Sequence, residues 1–229
     1  MKNSINWDII KLVAFDVDGT LYGQTKLRLL MAREMAIYSI LNADPLLWRV
    51  IRHYRNIRER LADEETENFE IKLLEETATK TGLSKTKVNA IIEEWLKIRP
   101  LPYLFECRYE YISEIFYELR QQGKVIGVLS DYPAIDKLRA LKLEADIIIT
   151  ANDIGILKPH PRGLEKLMAI SGIPPENTLL IGDRVERDGY AAQRAGTHVL
   201  IKSKKELNGW NVFNNYKDIG IFPFLNIFK

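Results

Sequence analysis

The stretch LVAFDVDGTLYG, residues 12–23, runs from apolar residues straight into two carboxylates, Asp16 and Asp18, and then turns at Gly19-Thr20. Acids this close repel, and desolvation worsens the repulsion. Either the pair lies in a solvated turn or something positive sits between the carboxylates. Three further stations carry polar chemistry: Ser130-Asp131, Lys158 within GILKPHP (155–161), and Gly182-Asp183-Arg184 followed by Asp188. If these acids converge, they need a cation to neutralise them. An oxygen-only donor set, with no cluster of Cys or His, suits Mg2+ rather than zinc. Bound Mg2+ also takes up phosphate oxygens. A lysine and a hydroxyl nearby would hold the remaining ones. One carboxylate of the opening pair is then placed to attack phosphorus while its neighbour handles the proton.

Such convergence requires elements that end at one edge. Residues 9–15 predict a strand, short, β-branched and apolar. About eighty residues of helical signal follow. Leu27, Leu30, Met31 and Met35 share a helical spacing, as do Leu47, Val50, Ile51, Tyr54, Ile57 and Leu61. Phe69, Leu73 and Leu74 form a third stripe that Gly82 is placed to end. Ser84 is placed to cap a fourth helix carrying Val88, Ile91, Ile92 and Trp95, stopped by Pro100. From residue 108 the pattern alternates. Helices are expected over 108–122, 134–143, 161–171 and 187–195, and strands over 124–130, 146–150, 177–183 and 197–201. Alternation of this kind predicts an α/β fold, a parallel sheet with helices on both faces, interrupted after its first strand by a helical insert. Ligands bind such sheets at the carboxyl ends of the strands, where Asp16, Asp18, Ser130, Lys158 and Asp183 are all delivered.

These motifs, in this order and each following a predicted strand, resemble the four motifs of the haloacid dehalogenase-like hydrolase superfamily. The resemblance extends through the core. The insert is similar to that family's α-helical C1 cap, and GILKPHP is close to the GxxKPxP run of its phosphoglycolate phosphatase-like and β-phosphoglucomutase-like members. The resemblance implies a Rossmann-like core of residues 1–22 and 103–229 with an inserted cap domain of residues 23–102. It implies a Mg2+-dependent phosphatase acting on a small phosphorylated metabolite through an aspartyl-phosphate. Asp16 would be the nucleophile and Asp18 the proton donor and then base. Ser130 would donate a hydrogen bond to the phosphoryl group, and Lys158 would neutralise Asp16 and the transferring oxygens. Mg2+ would sit on the carboxylates of Asp16 and Asp183 and the main-chain carbonyl of Asp18. Asp188 would hold the loop or Lys158, and Thr20 would help shape the phosphate cradle. The dehalogenases of the family lack the second aspartate of the first motif, because a halide needs no proton; Asp18 therefore favours phosphoester hydrolysis. Asp131 departs from the asparagine often found in relatives. A phosphomutase on the same core, or a non-catalytic binding protein retaining the fold, are the alternatives.

Composition fits this reading. The chain has 229 residues, 46% hydrophobic and 28% charged, an ordinary globular profile. A net charge of +2 gives no bulk electrostatic reason to bind nucleic acid or membrane. The single cysteine, Cys107, excludes an intrachain disulfide and fits a reducing compartment. With no signal-peptide pattern and no apolar run long enough to cross a bilayer, a cytoplasmic location is expected. In RVIRHYRNIRER (49–60) the arginines at 49, 52, 55 and 58 step by three, which spreads them over half a helix surface. They are expected on the solvated face, with contact to an anionic substrate or partner as the alternative. His53, His160 and His198 show no metal-ligand spacing. The apolar tail IGIFPFLNIFK is expected to pack on the core. The oligomeric state is not legible.

Overall fold

The computed structural model describes residues 5–42 and 46–225. Six strands form one parallel sheet: β1 (Leu12–Phe15), β2 (Val125–Ser130), β3 (Ile147–Thr150), β4 (Thr178–Gly182), β5 (His198–Lys202) and β6 (Val212–Phe213). Their order is β3-β2-β1-β4-β5-β6. The chain leaves β1 toward β2 and β3 on one side and returns to β4 on the other, so β1 is central and the order reverses beside it. That reversal is where such sheets open a crevice. Register places Phe15, the last residue of β1, opposite Val128 on β2 and Ile181 on β4, so β2 runs two residues and β4 one residue further at the same edge.

Both faces of the sheet are covered, which is why its strands are near-continuously apolar. Successive side chains of β1 point to opposite faces. Val13 and Phe15 enter a core with helices α6 (Ile112–Gln121) and α7 (Ile135–Leu141). Leu12 and Ala14 enter a second core with α9 (Arg162–Ser171) and α10 (Tyr190–Ala195). The tail through residue 225 joins the first core as expected: Tyr216, Phe222 and Leu225 are buried and Trp7 packs edge-on to Phe224 at 4.9 Å. The last four residues of the tail lie outside the described residues.

Between β1 and β2 the chain forms α1 (Gln24–Asn42), α2 (Leu46–Asp63), α3 (Phe69–Thr81), α4 (Lys85–Ile92) and α5 (Leu101–Cys107). The four expected stripes are present. Gly82 ends α3 in a left-handed conformation, φ 71°, and Ser84 Oγ accepts from Lys87 N at 3.2 Å at the start of α4. Ile57 and Leu61 of α2 pack on Phe69 and Leu73 of α3.

Several expectations are corrected. The fourth helix is α only to Ile92; residues Glu93–Ile98 continue as a π-helical turn around buried Trp95, with Arg99 N bonded to Glu94 O at 2.9 Å. The helix expected from residue 108 starts at 112, because Tyr111 takes a left-handed φ of 64°. Residues Val185–Gly189 are likewise a π turn before α10. A short α8 (Ala151–Ile154), α5 and the two-residue β6 carry no periodic signal of their own. No helix among the described residues is long and apolar enough to cross a membrane.

Candidate active site

Asp16 leaves the end of β1 with its amide bonded to Ile181 O at 2.9 Å, which fixes it against β4. Its carboxylate is held at both oxygens. Lys158 Nζ donates to Oδ1 at 2.6 Å, and Thr20 Oγ1 donates to Oδ2 at 3.0 Å. Thr20 is itself pinned, since Tyr216 Oη donates to its carbonyl at 2.9 Å. Lys158 also donates to Asp188 Oδ1 at 2.7 Å. The lysine is only 4% exposed and is bracketed by two acids. Burial alone would push the ammonium down, but Asp16 and Asp188 outweigh it and hold it well above its ordinary value.

Asp188 organises the loop after β4. Its Oδ2 accepts from Asp183 N at 3.2 Å and Arg184 N at 3.1 Å while Oδ1 holds Lys158. Gly182 permits this approach, because a Cβ there would lie 2.2 Å from Asp188 Cγ. The carboxylate of Asp183 is turned toward the first loop: a Cβ on Gly19 would lie 2.0 Å from Asp183 Oδ2, and Gly19 has a φ of +100°. Among the described residues no side chain donates to the Asp183 carboxylate.

Carboxylate oxygens of Asp16, Asp183 and Asp188 lie within 4.8 Å of one another. Burial, reinforced by Asp188 and Asp183, raises the carboxyl of Asp16 well above its usual range, and burial with Asp188 pushes Asp183 up to about 7. A compact oxygen cluster whose ionised form is disfavoured is the environment a hard divalent cation relieves. Asp188 accepts three bonds, two of them at Oδ2, whereas each oxygen of Asp16 accepts one and keeps a lone pair and Asp183 accepts from no side chain among the described residues, so Asp16 and Asp183 are the more open carboxylate donors. The donor set therefore fits Mg2+.

Asp18 has a separate environment that sequence reasoning missed. Lys137 Nζ, from α7, lies 2.6 Å from Oδ1 and 2.7 Å from Oδ2, and Tyr22 Oη donates to Oδ1. Burial would raise this carboxyl, but Lys137 and Tyr22 overcome it and hold it below its ordinary value. The Asp18 carbonyl accepts from Gln24 Nε2 at 2.7 Å. Tyr22 stands four residues after Asp18, a spacing visible in the sequence; nothing in the sequence brings Lys137 to it.

Ser130 ends β2, is buried, and accepts from Tyr132 N at 3.2 Å, so its hydroxyl proton is not used in that bond. It is not among the residues that line the cavity, although its neighbours Asp131 and Tyr132 are. The departure at Asp131 is structural: its Oδ1 accepts from Lys158 N at 3.0 Å and braces the lysine loop. The cavity measures about 60 Å3, and Asp16, Asp18, Lys158 and Asp183 meet there.

Helix α2 roofs this cavity. Arg58, expected on a solvated face, is buried instead. It lies 4.0 Å from the Tyr132 ring and 5.0 Å from that of Phe69, and donates to Asp131 O. Glu59 takes a two-pronged bond from Arg184 at 2.9 Å each and another from Arg187 at 2.9 Å. Arg187 also reaches Asp63 at 2.7 Å, and Arg162 reaches Glu67 at 2.7 Å. The insert is thus clasped to the loops after β3 and β4.

Residues 10–196 match the haloacid dehalogenase-like hydrolase family. The chain is 29% identical over 199 residues to the pyrophosphatase PpaX of Bacillus mycoides (strain KBAB4), covering 85% of this chain and 84% of that protein. Its fold is similar to a 2-haloacid dehalogenase from Pseudomonas syringae pv. Tomato DC3000, with a TM-score of 0.65, 20% identity and coverage of 94% and 97%. It is also similar to the HAD-hydrolase YfnB from Bacillus subtilis bound to magnesium, with a TM-score of 0.63, 17% identity and coverage of 95% and 99%.

Proposed function

The chain belongs to the haloacid dehalogenase-like hydrolase family, and from that premise we propose that it is a phosphatase that hydrolyses a small phosphorylated metabolite with Asp16 as nucleophile. The observation that carries this reading is the fixation of Asp16 between Thr20 and Lys158, with a second aspartate two residues on at the same cavity. A halide leaving group would have no use for that second acid. The pyrophosphatase named among the relatives supports a phosphorus centre over a halogenated carbon.

Asp16 attacks phosphorus, forming a P–O bond to its carboxylate as the P–O bond to the leaving group breaks. Asp18 gives a proton to the departing oxygen. The negative phosphoryl group beside Asp18 counters Lys137 and returns the carboxyl toward its protonated form. Asp18 then takes a proton from the water that attacks the aspartyl-phosphate, releasing phosphate and restoring Asp16. Lys158 and the Ser130 hydroxyl stabilise the charge on the transferring oxygens. The carboxylates of Asp16 and Asp183, with the free lone pair of the Asp18 carbonyl, would hold Mg2+, which when bound supplies charge neutralisation to the phosphoryl oxygens. Helices of residues 23–102 act as the cap that excludes water, and Glu59 with Arg184 and Arg187 holds it down. A cytoplasmic location belongs to the same reading, supported by the lone, buried thiol of Cys107.

The test is phosphate release from p-nitrophenyl phosphate with Mg2+ and with chelator. Mg2+-dependent turnover with free phosphate as product is expected. A folded, Mg2+-binding protein that releases no phosphate from this ester or from a metabolite panel would overturn the reading.

A further inference from the structure

The family match ends at residue 196, yet the chain beyond it returns to the catalytic loop. Strand β6 pairs with β5, and just after β6 stands Tyr216, 1% exposed. Its ring packs on Phe213 at 5.0 Å and on Phe222 at 5.6 Å, and those two rings lie 5.2 Å apart. Trp7 backs Phe222 at 5.8 Å and donates from its indole nitrogen to Ile221 O at 2.7 Å. Close packing on these partners fixes the ring and, with it, the place of the hydroxyl.

That hydroxyl donates to the Thr20 carbonyl at 2.9 Å. Thr20 is fully buried, and among the described residues its carbonyl accepts from no other donor. Without the phenol it would be an orphaned buried acceptor, which a native backbone avoids. The side chain of the same residue donates to Asp16 Oδ2 at 3.0 Å, while Lys158 holds Oδ1. A carboxylate held at one oxygen can still turn about its Cβ–Cγ bond, because that torsion is soft. The Thr20 bond stops the turning, and it is only as firm as the turn that carries Thr20. The ladder of β1 closes at the Asp16 amide, so this turn lies outside it and takes its position from other contacts. Tyr216 supplies one of them directly at Thr20.

We propose that Tyr216 is a positioning residue for the reaction: acting through Thr20, it holds the Asp16 carboxylate in the orientation from which it attacks. The segment after β6 thus serves the active site as well as the core. This rests on the phosphatase reading above and adds a residue to it that lies outside the family match. An interaction that orients the nucleophile enters the chemical step, so its loss lowers kcat and leaves KM nearly unchanged.

The test measures kcat and KM of the full-length protein on p-nitrophenyl phosphate with Mg2+, well below the Tm of every variant. Tyr216→Phe keeps the ring and removes the hydroxyl; kcat is expected to fall about tenfold or more, with KM within about twofold of wild type. Thr178→Val is the control. It removes another buried hydroxyl, bonded to Pro174 O at 3.0 Å at the opposite end of β4, and should lower Tm while keeping kcat. Thr20→Val cuts the link to Asp16, so adding Tyr216→Phe to it should lower kcat by no more than about a further twofold. Phe222→Leu loosens the packing on the Tyr216 ring but leaves its hydroxyl, and should give an intermediate kcat. It decides the matter if Tyr216→Phe does not melt cooperatively. A wild-type kcat in folded Tyr216→Phe, or in Phe222→Leu where Tyr216→Phe does not fold, overturns this inference alone. So does a Tyr216→Phe loss that persists in full on Thr20→Val, or an equal loss in Thr178→Val. A folded, Mg2+-binding wild type that releases no phosphate from this ester or from a metabolite panel overturns the phosphatase reading, and this inference with it.

Discussion

Lys137 Nζ sits within 2.7 Å of both carboxylate oxygens of Asp18, joining the first turn of α7 to the loop after β1 across 119 residues of sequence. The two side chains are 11% and 17% exposed, so water screens the pair only weakly. Burial would raise the Asp18 carboxyl, and Lys137, helped by Tyr22, outweighs it and holds the carboxyl below its ordinary value.

Replacing Lys137 by methionine removes that stabilisation of the carboxylate, so the Asp18 pKa should rise. The limb of the kcat/KM profile that reports Asp18 is expected to move to higher pH. A purely structural lysine would lower activity evenly across pH. The measurement is a pH–rate profile for both proteins on p-nitrophenyl phosphate.

Asp183 tests the metal site. Adding Mg2+ to the wild type should raise Tm, because a cation relieves the burial and the repulsion from Asp188 that push Asp183 up to about 7. Asp183→Asn removes one acid and one donor together. Its Tm without metal should equal or exceed that of wild type, while the Mg2+-induced rise should be largely lost. A thermal melt with and without Mg2+ reads both effects.

Gly19→Ala should be far more damaging than an ordinary loop substitution. The new methyl would lie 2.0 Å from Asp183 Oδ2 in a backbone with φ +100°. Asp183 must move or the turn must open, and Mg2+ affinity should fall at least about tenfold, the scale seen when the partners that orient metal ligands are lost. Gly172→Ala shares the positive φ but meets nothing within 4 Å, so it isolates the backbone cost. Isothermal titration with Mg2+ compares the two.

The arginine clasp gives a pH signature. Hydrogen bonds from Arg184, and then those from Arg187, lower Glu59 from its ordinary 4.5 to about 2. A carboxyl depressed on folding stabilises above its unfolded value, and the contribution fades as pH falls from about 4.5 toward 2. Because Glu59 is 52% exposed, the effect should stay within about 1 kcal/mol. The Tm gap between wild type and Glu59→Gln, present at pH 6, should close across that window. A gap that persists at pH 2 would count against the clasp.

What the sequence revealed divides along a physical line. Strand ends are local: an apolar run followed by an acid or hydroxyl could be read at Asp16, Ser130 and Asp183, and a parallel sheet then obliges those ends to share an edge. The stripes on α1 to α4 followed from the same local periodicity. Lys137 could not be read this way, because only the packing of α7 against the sheet decides what it reaches. The same holds for Arg58, whose burial depends on Tyr132 and Phe69 arriving from two other elements. Tyr111 carries no mark of its left-handed backbone, so the local pattern extends the helix back to residue 108 although α6 begins at Ile112. Two-residue β6 is paired by β5 rather than by any pattern of its own.

The central claim is that Asp16 forms a covalent bond to phosphorus, and it is tested most directly by acid-quenching the enzyme during turnover and mapping the modified peptide by mass spectrometry. The account predicts a phosphoryl adduct on the peptide containing Asp16, at the Asp16 carboxylate, absent from Asp16→Asn. An adduct at another residue, or none in an enzyme quenched while it turns over phosphate at full rate, would contradict it.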